Sequence, residues 1–145
     1  KASKFYFFDV GIRRSLERKI RFAPVPQSSD YGRMFEHWLI SEIHKLNVYS
    51  KKDYELSYLL TKDDVEVDLV IDRPNETTAL IEIESTNRVD VKSFSGFIEL
   101  AKDIPDSEAF VLSNDSKKQK VGNVQFVQVT FRSDECESRI GAQLA

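Results

Sequence analysis

Hydrophobic and polar positions along this chain change period several times, and each change marks an element. From Gly32 to Leu46, at ~100° per residue, Phe35, Leu39, Ile43 and Leu46 share one stripe with Trp38 beside it. That spacing predicts an amphipathic helix. From Val65 to Asp72 the period is two. Val65, Val67, Leu69 and Ile71 take one face, and Glu66, Asp68, Val70 and Asp72 the other, as in a strand. Ala79 to Ser85 repeats the pattern, with Ala79, Ile81 and Ile83 set against Leu80, Glu82 and Glu84. The segment Arg73-Pro74-Asn75-Glu76-Thr77 between them is a turn. Glu55 to Thr61, Glu108 to Leu112 and Val124 to Phe131 also read as strands, with a polar loop from Ser113 to Gly122. Val89 to Lys102 places Val91, Phe94, Phe97, Ile98 and Ala101 at helical spacing.

The order is therefore helix, three strands, helix, two strands. It predicts an antiparallel meander, then a crossover: an α/β fold with a mixed central sheet flanked by helices. Upstream, Phe5 to Phe8 forms a short strand or aromatic anchor, and Ile12 to Ile20 can form a helix. Pro24, Pro26, Ser28 and Ser29 then break regular structure. Residues 1–30 read as a linker or docking segment from a preceding module, and 31–145 as the α/β domain. The start at Lys1 on an apolar stretch reads as a piece of something longer.

Composition adjusts this picture in three ways. The 145 residues suffice for one domain with a core. The apolar runs are too short to span a bilayer. The lone Cys136 excludes an internal disulfide and a cysteine-based zinc site, so the expected setting is cytoplasmic. With 24 acidic against 21 basic residues, the chain lacks the basic balance of a general nucleic-acid binder. Arg13, Arg14, Arg18, Lys19 and Arg21 cluster locally, as do Lys117, Lys118 and Lys120; the expectation for both is a solvated face or loop.

The candidate chemistry lies on the second and third strands. A hairpin centred on Asn75 sets Asp68 opposite Glu82, Glu66 opposite Glu84 and Val70 opposite Leu80. Like charges facing each other destabilise a sheet. A cation, a lysine or protons held at raised pKa would offset the repulsion. Mg²⁺ suits such oxygen ligands; a solvated sheet edge with splayed carboxylates is the alternative. Glu36, at the edge of the first helix's stripe, can approach the same place. Glu42, near the middle of that stripe, calls for a structural hydrogen bond or ion pair.

A helix with Phe35-Glu36, a strand with Glu66-Val67-Asp68 and a following strand with Ile81-Glu82-Ile83-Glu84 together resemble the PD-(D/E)xK nuclease-like superfamily. With Phe5-Tyr6-Phe7-Phe8-Asp9-Val10-Gly11 and Gly32-Arg33-Met34-Phe35-Glu36, the chain more closely resembles the uncharacterised family C-terminal to AAA-type ATPase modules in bacteria and archaea. The resemblance implies a restriction-endonuclease-like fold. It also implies Asp68 and Glu82 as Mg²⁺ ligands, Glu36 as an auxiliary acid, a preceding ATPase module as partner, and nucleic acid as a substrate class. At the position where the superfamily carries lysine, this chain has Glu84. Three explanations compete: the lysine has moved, with Lys92 the nearest candidate; Glu84 serves as ligand or base; or catalysis is lost and the domain serves partner or nucleic-acid interaction. The last is preferred, with an active Mg²⁺-dependent nuclease as the alternative.

No GxxxxGK[ST] loop occurs in the chain, so no ATP site of that type is expected within it. His37 and His44 are expected on the polar side of the first helix. Cys136, among Asp134, Glu135 and Glu137, sits in surroundings that raise a thiol's pKa and disfavour a nucleophile.

Overall fold

The computed structural model describes residues 4–129. Cys136, the end of the predicted strand at Phe131, and the outer parts of the 1–30 and 31–145 segments lie outside the described residues.

Helix α1 (Val10–Leu16) starts where the Asp9 carboxylate accepts from the Gly11 amide at 2.6 Å, a side-chain cap for an orphan N–H. It ends before Arg18, whose φ is 58°. Helix α2 runs over Ser29–Tyr49, longer at both ends than its apolar stripe. Ser28 extends it upstream by accepting from the Tyr31 amide at 3.1 Å. Glu42 has the expected ion pair, with Lys45 at 2.7 Å.

Strands β1 (Glu55–Leu60), β2 (Glu66–Asp72) and β3 (Thr78–Glu84) form the antiparallel meander. A 3₁₀ turn over Val91–Phe94 and helix α3 (Ser95–Asp103) cross to β4 (Ser107–Ser113), which pairs parallel with β3. Strand β6 (Val124–Gln128) pairs parallel with β4, and β5 (Gln119–Val121) closes the edge antiparallel to β6. The sheet order is β1-β2-β3-β4-β6-β5. The mixed sheet flanked by helices is thus as the element order predicted. Strand β5 falls inside the segment predicted as polar loop. It joins β6 through Gly122, whose φ of +60° suits a residue without Cβ at a tight turn.

Two cores lie on opposite faces of the sheet. Phe35, Leu39, Ile40 and Ile43 of α2 pack on Leu69, Ile71, Ala79, Ile81, Phe110 and Leu112. Phe97 and Ala101 of α3 pack on Val67, Leu80, Ala109, Val111, Val124 and Phe126. Val67 therefore departs from the strict alternation expected of β2, because it faces α3 while Leu69 and Ile71 face α2. The cause is in the β1–β2 ladder: Ser57 pairs with Val70, but Leu59 pairs with Val67. One extra residue on β2 makes a bulge, and Asp68 stands in it.

The β2–β3 turn is fastened by a residue whose role sequence periodicity did not suggest. Arg73 is only 5% exposed. Its guanidinium donates to the Thr77 carbonyl at 2.6 Å, to Thr77 Oγ1 at 2.8 Å and to Glu108 at 2.8 Å. Asn75 takes a φ of 65°, which asparagine tolerates better than most residues.

Candidate functional site

Hairpin pairing runs from Ile71–Ala79 through Val70–Leu80 to Leu69–Ile81. The Val70–Leu80 pair has the register expected of a turn centred on Asn75. Beyond Leu69–Ile81, Asp68 Oδ2 accepts from the Ile83 amide at 2.9 Å. The bulge thus places a carboxylate where a ladder carbonyl would otherwise serve. This opening between β2 and β3 collects the candidate acids.

Asp68 is the best shielded of the carboxylates that meet Lys4, with 14% of its side chain exposed. Burial, then the charge of Glu36, pushes its pKa up, opposed by the Ile83 amide and by Lys4. Glu82 is pushed up to about 9, first by burial, then by the charge of Asp68 and a hydrogen bond with it. Burial and mutual repulsion thus favour a proton held between Glu82 and Asp68. Glu36 reaches the same group from α2. Glu66, one residue from the start of the alternating run, borders it. Glu84 bonds locally at the end of β3, where its carboxylate accepts from the Thr86 amide at 3.2 Å.

The cation in this group comes from the N-terminal segment. Lys4 Nζ lies 3.3 Å from Asp68 and 3.4 Å from Glu36, and it makes a close ion pair with Glu66. It also stands 5.8 Å from the centre of the Tyr58 ring. Burial lowers the Lys4 pKa, but the hydrogen bond to Glu66 and the charges of Glu36 and Asp68 outweigh it and hold the pKa above the ordinary lysine value. Lys92, on the 3₁₀ turn, is exposed.

Tyr6, two residues on, donates to Glu36 at 2.7 Å. Burial, then this bond, raises its pKa and keeps the phenol protonated. The Phe7 carbonyl accepts from His37 Nε2 at 2.7 Å and from Ser41 Oγ at 3.2 Å. His37 is 1% exposed and packs edge-on to Tyr6 and stacked on Phe7. The expectation of two polar-face histidines is thus corrected for His37. The aromatic segment covers it, and its ring is a structural donor. His44 is exposed.

A divalent ion needs several ionised oxygens converging on one point. Here an ammonium stands among Glu36, Glu66 and Asp68, and among the described residues no group of three His, Cys, Asp or Glu has metal-holding geometry. As arranged, with Lys4 in place, this set holds an ammonium.

Comparison with known proteins gives a family profile, the domain of unknown function DUF4143, that matches residues 31–131. The chain belongs to the DUF4143 family. Among solved structures, this DUF4143 chain is similar to a chain in the refined half-complex from the tetradecameric assembly of Thermococcus gammatolerans McrB AAA+ hexamers with bound McrC. The TM-score is 0.53 at 9% identity, over 79% of this chain and 33% of that one. The likeness is one of fold, and this chain corresponds to about a third of the length of its neighbour. No curated protein matches the DUF4143 chain. No described helix is long and apolar enough to cross a membrane.

Proposed function

We propose that this DUF4143 domain is a nuclease-fold module of an AAA-type ATPase, and that it holds a partner rather than cutting nucleic acid. The observation that carries the reading is Lys4, whose ammonium stands among Glu36, Glu66 and Asp68. An acidic group that a nuclease would use for a metal ion is here balanced by the chain's own cation and by the proton on Glu82. The segment bearing Lys4 is fixed at two further points, Tyr6 on Glu36 and Phe7 on His37. The cluster thereby becomes a socket that sets the direction in which the polypeptide enters the domain. The ATPase association is supported by the family resemblance, and by AAA+ hexamers in the assembly that contains the neighbouring fold.

One observation favours a second reading, an active Mg²⁺-dependent nuclease acting on DNA or RNA. Lys4 brings an ammonium to within 3.3 Å of Asp68 in a chain that has Glu84 where the superfamily has lysine. Asp68 and Glu82 would be the ligands in that reading, with Glu36 and Glu84 as auxiliary acids, after Glu82 gives up its proton.

Nicking of supercoiled DNA and cleavage of single-stranded RNA, with Mg²⁺ or Mn²⁺, separate the two readings. The parent, Asp68→Ala and Lys4→Ala proteins are compared. The partner-holding reading expects no cleavage above the Asp68→Ala background from the parent or from Lys4→Ala. Metal-dependent cleavage by the parent, lost in both variants, would establish the nuclease.

A further inference from the structure

The exposed large apolar side chains of the described residues are concentrated at one end of the chain. Phe5, Phe7, Phe8, Ile12, Leu16, Ile20, Phe22 and Val25 are all exposed, whereas farther on only Val48 and Tyr49 belong to that class. Scattered apolar residues on a surface are ordinary, but a contiguous patch marks an interaction site. Three of these side chains line one groove of about 590 Å³ between the N-terminal segment, α1 and α2, within the range of about 300–1,000 Å³ typical of binding pockets. Phe5, Phe7 and Leu16 supply its apolar wall, and Arg13, Glu17 and Arg33 its rim. Phe5 is 86% exposed and Leu16 68%. The backbone bearing them is nevertheless held, by Asp9 at the start of α1 and by His37 on the Phe7 carbonyl. A groove with a fixed frame binds at lower ordering cost than a mobile one.

Charge identifies the occupant. Residues 4–33 carry seven Lys or Arg against three Asp or Glu, while the rest of the chain carries 14 against 21. Lys4, Arg13, Arg14 and Lys19 are matched inside the fold, and Arg18 and Arg21, both exposed, do not line the groove. Arg13 pairs with Glu17 at 3.0 Å, and Lys19 pairs with Asp30 at 3.0 Å. Arg14 adds Asp30 at 3.5 Å and donates to the Lys19 and Phe22 carbonyls. Among the cations that line the groove, Arg33 is the weakly compensated one. Its side chain is 55% exposed, and its contact with Asp30 is 3.7 Å, to a carboxylate that Lys19 and Arg14 already use. A phosphate backbone requires several uncommitted cations in a row, and this rim offers little of that. A protein segment requires an apolar pocket with one charge at its edge.

We infer that the groove lined by Phe5, Phe7 and Leu16 is a docking site for an amphipathic protein segment that inserts a large apolar side chain and sets an Asp or Glu against Arg33. The inference deepens the partner-holding reading by naming the partner's chemistry, and it does not depend on whether the acidic cluster cuts nucleic acid. Lys4 and Glu36 also line the groove, so an occupant would lie against the residues that hold the N-terminal segment in its socket.

Selection of short random displayed peptides on the full chain, counter-selected on Leu16→Ser, tests it. Both Leu16 and Arg33 are exposed, and thermal unfolding verifies that the variants remain folded. Recovered peptides are expected to carry a large apolar residue near an Asp or Glu. By fluorescence anisotropy they should bind Leu16→Ser and Arg33→Glu at least about tenfold more weakly than the parent. Replacing their acid with lysine should weaken binding to the parent and restore it to Arg33→Glu. The inference is overturned if no peptide is enriched over the counter-selection, or if binding ignores Arg33→Glu. It is likewise overturned if sedimentation shows self-association that Leu16→Ser abolishes, because a second copy then fills the groove. Displacement of the peptides by duplex DNA would assign the surface to nucleic acid instead.

Discussion

The two ends of the β2–β3 hairpin handle charge in opposite ways. At the turn, the Arg73 guanidinium, 4% exposed at its side chain, meets two oxygens of Thr77 and the carboxylate of Glu108, with Glu76 at 3.8 Å. A buried cation is surrounded there by acceptors that complete its hydrogen bonding. At the open end, Asp68, Glu36 and Glu66 share one ammonium, that of Lys4, and Glu82 beside Asp68 keeps a proton. The first arrangement is saturated and needs nothing further. The second is poised, because its charge balance depends on a proton and on a segment distant in sequence. Saturated buried pairs fasten structure, and groups with perturbed protonation mark the place where a fold can respond to its surroundings.

The comparison is broken most severely at the saturated end. Arg73→Ala removes the bonds that tie the turn to β4 and leaves the Thr77 carbonyl without its guanidinium partner. Glu108 is 46% exposed at its side chain and regains water, so the loss is expected to be about 2–3 kcal/mol rather than the larger cost of an abandoned buried charge. Urea unfolding of the two proteins measures it. A loss below the scatter of surface substitutions would mean that the turn is held by Pro74 and Asn75 alone.

At the poised end the effect is smaller and depends on pH. Glu82 holds its proton in the folded chain up to about pH 9, and when unfolded releases it near its ordinary value of 4.5. The folded state therefore binds the extra proton between these limits. Its stabilising contribution is complete below the unfolded value and falls as pH rises through the window, by at most about 1.4 kcal/mol per pH unit. Asp68 is shifted in the same direction and adds to the same slope. Glu82→Gln keeps a neutral, hydrogen-bonding group of the same shape. It is expected to flatten the decline and to exceed the parent in stability at pH 8 by about 1–2 kcal/mol, well under the linkage ceiling because Asp68 shares the proton and water reaches the pair. Denaturation midpoints collected from pH 5 to pH 9 give the answer. Parallel curves for the two proteins would show that Glu82 is ionised in the fold.

What was legible in the sequence follows the same division. Long periodic segments announced α2, the meander and the crossover, because burial on one face imposes a repeat that a single sequence displays. Asn75 between two alternating runs was enough for the Val70–Leu80 pairing. The bulge at Asp68 was not legible, since one extra residue leaves the written pattern of β2 unchanged while turning Val67 to the other face. Strand β5, only Gln119–Val121, is too short and polar to show a period. Lys4 was missed because its partners lie 32 and 64 residues away, and a lone lysine beside an aromatic run has no local signature. Tyr6 offered a faint clue: in an extended segment it takes the same side as Lys4. Both reach Glu36.

That shared side allows the finest test of the poised end. Tyr6→Phe keeps the ring against His37 and removes only the hydroxyl that donates to Glu36 at 2.7 Å. The bond reaches a charged acceptor in a half-buried place, and Glu36 retains Lys4 at 3.4 Å. The expected loss is therefore about 1 kcal/mol. Burial and the Glu36 bond hold the Tyr6 phenol above its ordinary pKa, so the loss should be the same from about pH 7 up to the normal tyrosine range. This separates it from the sloping contribution of Glu82. A double-mutant cycle with Glu36→Gln assigns the energy to this pair. Coupling near zero would leave the Phe7 carbonyl on His37, rather than the acidic cluster, as the anchor of the N-terminal segment. Coupling of the expected size would mean that the cluster holds that segment through two side chains at once, and that anything lifting Tyr6 from Glu36 also loosens Lys4.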